Sequence, residues 1–204
     1  MEVTKNAANP QIGFRLVTSG DAIDVDMADC QDGAFSSSPI PTTTAAATRN
    51  ADVLTYVASG NMAPANVGTV YSEIVTGANT NFTSAQRSVV DSFAGGTDAE
   101  QLYIATGANA GKLAMYDGAS VLNSSNVAAL SDSVQKIAVV WGGTASNKAQ
   151  TYLNGTQSTD LTFDGSVTSG TNFGVGCAAN GTGQLNGTSR NVRIYSVAKS
   201  AAQL

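Results

Sequence analysis

The chain has 204 residues, ten Lys and Arg against fifteen Asp and Glu, a formal net charge of −5, and no histidine. That length fits one sizeable domain, or one domain plus an appendage, and a core of that size needs no disulfide or metal staples. The acidic balance, without any clustered basic run, excludes a nucleic-acid surface. No stretch approaches the roughly 18 apolar residues of a membrane-spanning helix, and the missing histidine removes Ser-His and Cys-His nucleophile activation together with the commonest zinc ligand.

The N-terminal MEVTKNAANPQ has no apolar centre and does not read as a secretory signal. Residues 11–18 and 22–28 read as a hairpin around Ser19-Gly20-Asp21. Within its second strand Ile23, Val25 and Met27 share one face, and Asp24 and Asp26 share the other, as in a half-buried strand. Residues 36–44 are polar, punctuated by Pro39 and Pro41, and without periodicity, so they read as an extended connector. The boundary falls near residue 41. Residues 1–40 are then an N-terminal β arm for docking or oligomerisation, and residues 41–204 are the main domain.

The main domain is a succession of short, turn-bounded segments. Strands are predicted over residues 53–58, 67–75, 87–94, 101–106, 112–117, 134–141, 148–153, 161–163, 172–177 and 187–196. The dipeptides Asn154-Gly155, Asp117-Gly118, Asp164-Gly165, Asn180-Gly181 and Asn186-Gly187 suit tight turns with positive φ. About a dozen such antiparallel strands imply an all-β sandwich or jelly roll. Helical patterning is confined to residues 125–130 and 199–204. Ile137, Val139 and Trp141 lie on one face of their strand, and Lys136, Ala138 and Val140 on the other. The apolar residues on both faces predict a strand covered on both sides.

Two passages carry a family likeness. Lys136-Ile137-Ala138-Val139-Val140-Trp141 followed by Gln150-Thr151-Tyr152-Leu153-Asn154-Gly155-Thr156 resembles the laminin-G-like, concanavalin-A-like signature of a strand and a Tyr-aliphatic-Asn-Gly hairpin. The closing run from Leu185 to Leu204 looks like that family's last strand and its terminal Ser-x-x-Gln-Leu turn. Residues 28–43, with Ser36-Ser37-Ser38-Pro39-Ile40-Pro41-Thr42-Thr43, together with Thr48-Arg49-Asn50-Ala51-Asp52, are similar to a linker of tailed-bacteriophage tail-fibre and tailspike-associated proteins. Gln31 and Pro39 depart from that linker's usual acidic residue and tyrosine.

The resemblance implies a jelly-roll module on a virion surface, in a tail fibre, a spike or a head decoration. Such a protein is assembled in host cytoplasm, contacts other capsid or tail proteins, forms a homo-oligomer, most plausibly a trimer, and adheres to host-surface glycan. Enzymes of this fold set carboxylates on one strand as Glu-x-Asp-x-x-Glu. The glutamates are Glu2, Glu73 and Glu100, and none begins that motif, so a non-enzymatic protein is expected. A polysaccharide-degrading enzyme and a cellular glycan-binding adhesion module are the alternatives. Sugar-binding candidates are the aromatic platforms Trp141, Tyr152, Tyr116 and Tyr103, with Tyr195 and the amide of Asn154, each of them weighed against core packing or cross-strand pairing. Arg49 and Asp52 are expected to pair as a structural pin. No cofactor is expected. A rim calcium ion would draw on Asp98, Asp117, Asp132 or Asp164, residues that turns also favour for backbone reasons. Gly107 to Leu113 reads as a turn rather than a phosphate loop, Asp24 and Asp26 as a solvated face, and Cys30 and Cys177 as buried thiols.

Overall fold

The computed structural model describes residues 53–76, 86–96, 98–127, 131–143, 145 and 147–204, with positions 20 and 22; the side chains of residues 100, 126, 127, 131 and 132 lie outside the description. The arm and its two strands, the connector and its boundary near 41, Asp24, Asp26, Cys30, Arg49, Asp52 and the carboxylate of Asp132 therefore lie outside the described residues. The chain divides into two compact units, Met1–Asp32 and Gly33–Leu204, and the strands below belong to the second.

Those strands are β1 (Leu54–Val57), β2 (Gly68–Thr76), β3 (Arg87–Asp91), β4 (Glu100–Ile104), β5 (Lys112–Tyr116), β6 (Val121–Val127), β7 (Ser131–Trp141), β8 (Lys148–Leu153), β9 (Thr156–Gln157), β10 (Leu161–Thr162), β11 (Asn172–Val175) and β12 (Gly187–Tyr195). They form two sheets. Sheet I has the order β1-β11-β3-β4-β5-β6, and sheet II has the order β10-β8-β7-β2-β12 with β9 on β8. All pairings are antiparallel. The fold is an all-β jelly-roll sandwich.

Period-2 alternation builds its core. Sheet II contributes Val70, Ile74, Ile137, Val139 and Trp141, and sheet I contributes Leu102, Ile104, Leu113, Met115 and Phe173, all in one buried cluster. The two-residue turn Asn154-Gly155 has φ of 50° and 82°, the doubly positive pattern of a type I′ hairpin joining β8 to β9. Asn154 is one of the few residue types that takes this conformation without large strain.

Four segments differ from the sequence reading. Residues 125–127 continue β6 as strand rather than opening a helix. Among its described side chains Leu122 and Ser124 are the buried ones, and one large apolar residue is too little to set a visible period. β3 stops at Asp91, three residues early, because the chain there turns into a buried polar knot: the amide nitrogen of Ser92 donates to Gln101 Oε1 at 3.0 Å, and Gln101 Nε2 donates to Ser92 Oγ at 2.9 Å. β7 begins at Ser131, and β9 is an unpredicted short strand. Gly107–Asn109 forms a 3-10 turn leading into β5, in line with the turn reading. The last residues form a 3-10 turn, Ala201–Gln203, closed by a capping box between Ser200 and Gln203.

Candidate functional site

The outer face of sheet II carries the only group of sequence-predicted site residues that the described structure brings together. Three cross-strand rows can be followed. Thr69 pairs Val140, which pairs Gln150; Tyr71 pairs Ala138, which pairs Tyr152; Glu73 pairs Lys136. On the far side β12 adds Tyr195 beside Thr69, Arg193 beside Tyr71 and Arg190 beside Glu73. Directly paired residues share a face, so these side chains point away from the core.

Tyr71 and Tyr152 therefore flank the small side chain of Ala138. Around them lies a depression of ≈ 170 Å³ lined by Tyr71, Lys136, Ala138, Tyr152, Asn154 and Leu204. Its edges are polar and held in place. Tyr71 Oη donates to Glu73 Oε1 at 3.2 Å. Tyr152 Oη lies 3.2 Å from Gln150 Oε1 and 3.1 Å from Gln157 Oε1, and Gln150 Nε2 donates to Asp160 Oδ1 at 2.6 Å. The amide nitrogen of Lys136 donates to Asn154 Oδ1 at 2.9 Å, which fixes the hairpin against β7.

Burial raises the phenol pKa of Tyr71 and of Tyr152; the hydrogen bond to Glu73 adds to the first shift and the charge of Asp160 to the second. Both hydroxyls stay protonated at neutral pH, each with its single proton given to an acceptor within the protein and its oxygen left to accept. The Glu73 carboxyl is held below its usual value, chiefly by a side-chain hydrogen bond from Asn191, with Arg190 and Tyr71 contributing. Arg190 Nε donates to Glu73 Oε2 at 2.9 Å. A bulge between Arg190 and Arg193 sets Asn191 at φ 52° and brings it into this arrangement.

The remaining expected residues are elsewhere. Trp141 is 1% exposed inside the core, and its Nε1 donates to Pro64 O at 3.2 Å. A ring between the sheets cannot stack on a sugar, which corrects its placement among the platforms. Tyr103 and Tyr116 sit on the outer face of sheet I. Tyr103 is buried with Ala105 and Ala114, and Tyr116 Oη donates to Gly118 O at 2.9 Å. They cannot share a ligand with Tyr152. The ring of Tyr195 on sheet II lies 4.8 Å from Lys199 Nζ. Asp98 and Asp164 each accept a nearby backbone N–H, and Asp117 Oδ1 accepts from Ala119 and Ser120, so these aspartates brace their own turns. Among the described residues no group of three or more His, Cys, Asp or Glu could hold a metal ion. Cys177 is a free, buried thiol whose pKa is pushed up by burial.

No protein-family model and no curated protein matches the sequence. Among solved structures, the chain is similar to the CBM40 of the Ruminococcus gnavus IT-sialidase bound to alpha2,3 sialyllactose, at 22% identity over 69% of this chain and 82% of that one, with a TM-score of 0.49. It is similar to the heptameric SAP-like pentraxin of Limulus polyphemus, at 13% identity over 76% of each chain, TM-score 0.49. It is also similar to domains LG4-5 of the mouse laminin alpha1 chain, at 15% identity over 72% of this chain and 44% of that one, TM-score 0.44.

Sequence reasoning missed Tyr71, Lys136 and Gln150 as site residues. Tyr71 lies in a segment correctly read as a strand, but only the register, Tyr71 to Ala138 to Tyr152, puts it beside the candidate hairpin. Register depends on the fold and is not written in either strand alone.

Proposed function

We propose that the protein is a non-enzymatic virion-surface module of a tailed bacteriophage that adheres to host glycan through the outer face of sheet II. The observation that carries the binding reading is the depression over Ala138. Two tyrosines, Tyr71 and Tyr152, largely buried at 6% and 5% exposed, wall it, and Asn154 and Lys136 line its edge. Sugars are recognised by this combination of apolar ring faces and fixed hydrogen-bonding groups.

Hydrolysis by the acids of this face is disfavoured by geometry. Glu73 lies on β2, and Asp160 lies between β9 and β10, which both flank β8. Their backbones are three inter-strand spacings apart, about 14 Å, whereas paired glycosidase carboxylates stand about 5–9.5 Å apart. The phage assignment is supported by the linker likeness in residues 28–43 and 48–52, and the residues of the arm supply a docking segment to the virion.

Two measurements test the two halves. Antibody labelling of purified virions in electron micrographs is expected to place the protein on the particle, and its absence from virions would sink the virion reading. Glycan-array binding that is lost in Tyr152→Ala, with the fold intact by circular dichroism, is expected for the binding reading. Unchanged binding by that variant would move the site off sheet II.

A further inference from the structure

We propose that the ligand of this face is an acidic oligosaccharide, its carboxylates held by Lys136 and Arg193; this rests on the glycan-binding reading above and narrows it to a chemical class. The chain as a whole is acidic, with a formal net charge of −5, yet its charge is not evenly spread. Of its ten Lys and Arg residues, five lie on the outer face of sheet II: Lys136, Lys148, Arg190, Arg193 and Lys199. Lys148 follows from strand alternation, since its neighbour Ala149 points into the core and Gln150 and Tyr152 point outward. Among the described side chains only Glu73 and Asp160 oppose them there.

The two carboxylates are already engaged. Glu73 takes hydrogen bonds from Arg190, Tyr71 and Asn191, and Asp160 takes one from Gln150. Glu73 stands directly across from Lys136, but the groups that hold it down come from β12 and from Tyr71. Lys136 is exposed and lines the depression. Arg193 is exposed and sits across from Tyr71; it shares a side-chain hydrogen bond with Tyr195, and a guanidinium has five N–H donors, so it can take a carboxylate as well. β7 and β12 are separated by β2, about 10 Å. At that strand separation a chain of rings bearing more than one carboxylate can engage both residues. A neutral sugar would make no use of either cation's charge. A bare polyanion would leave the tyrosine-flanked depression unused.

The test is calorimetric titration of the full chain with a matched pair, oligogalacturonate and its methyl ester, and with polyglutamate as a sugar-free polyanion. We expect the acidic member to bind at least tenfold more tightly than its neutral partner, and added salt to weaken that binding. Lys136→Gln and Arg193→Gln, both surface changes, are each expected to weaken it about three- to tenfold, while Tyr152→Ala removes acidic and neutral binding alike. Equal binding of acidic and neutral partners overturns the acidic ligand and leaves the glycan-binding face standing. Binding of polyglutamate as tight as that of the acidic sugar overturns it too, by making the face a simple polyanion surface. Failure of the whole panel overturns both readings.

Discussion

Replacing Gly68 by alanine is expected to unfold the domain several degrees early. Gly68 pairs directly with Trp141 across β2 and β7. A Cβ built on Gly68 falls on Trp141 Cζ2 and on Ala63 Cβ, and lies 2.8 Å from Trp141 Cη2. Carbon atoms prefer about 3.5–4.0 Å, so the overlap is severe. The indole has little room to retreat, being 1% exposed and hydrogen-bonded to Pro64 O. Overpacking of a filled core costs about 1–3 kcal/mol, and with the ring pinned and Ala63 also blocked the upper end applies, about 3 kcal/mol. For a domain of this size about 2–4 °C accompanies each kcal/mol, so Gly68→Ala should lower Tm by about 6–12 °C in a calorimetric or circular-dichroism melt. Gly60→Ala is the control: its φ is 78° and a Cβ there meets nothing within 4 Å, so only backbone strain of about 1 kcal/mol is added. A Gly68→Ala melt within about 1 °C of the parent would refute the wedge between Gly68 and Trp141, and with it the idea that this contact locks the β2–β7 register.

Three further outcomes follow from the site. Asn154→Ala should cost about 2 kcal/mol in urea unfolding, because alanine resists φ of 50° and the bond from the Lys136 amide nitrogen is lost, whereas Asn154→Gly should lose only the bond. Tyr152→Phe should cost about 1 kcal/mol, and in an alkaline absorbance titration the parent should show phenols ionising later than the ordinary value of 10.0, a late component that Tyr152→Phe diminishes. Glu73 is held below its usual value of 4.5, so its contribution to stability is complete above that pH and is lost as pH falls through the lower folded value; a Tm series from pH 6 down to pH 3 should show Glu73→Gln falling less steeply than the parent, and parallel slopes would count against the Arg190–Glu73–Asn191 arrangement.

Strands with strict alternation were legible in the sequence. β2, β5, β8 and β12 lie within a residue or two of the predicted spans, because Val70 and Ile74, Leu113 and Met115, and Ala149 and Leu153 alternate with outward residues. The sidedness of β7 was legible as well: Ile137, Val139 and Trp141 enter the core, while Ala138 and Val140 join Tyr71 and Tyr152 in an outer apolar cluster capped by Ala198 and Leu204. β6 was illegible since its inward positions are Leu122 and Ser124, and β9 because two residues carry no period. Of the site, the hairpin residues Tyr152 and Asn154 were found through a local motif. Trp141 was misplaced because a lone tryptophan looks the same in sequence whether it faces sugar or core. Tyr71 and Lys136 become site residues only through pairing between strands distant in sequence, and period-2 patterning gives the face of a residue without its neighbour.

The same register ties the site to the core. β7 is apolar on both faces, so its outer residues Ala138 and Val140 must be covered. The C-terminal segment covers part of them: Thr69 Oγ1 donates to Val197 O at 2.9 Å and accepts from the Lys199 amide nitrogen at 2.9 Å, and Ala198 and Leu204 rest on the outer cluster. The tyrosines shield much of the rest from either side, each with its hydroxyl anchored at the polar margin. Between Leu204 and the β8–β9 hairpin the cover stops, and over Ala138 the depression opens. A larger side chain at 138 would occupy that space. The depression therefore exists because a small residue, Ala138, lies between two tyrosines at that point of the β2–β7–β8 row. Gly68 against Trp141 sets that point from inside the sandwich: three residues along β2 from Gly68 and three back along β7 from Trp141 stand Tyr71 and Ala138.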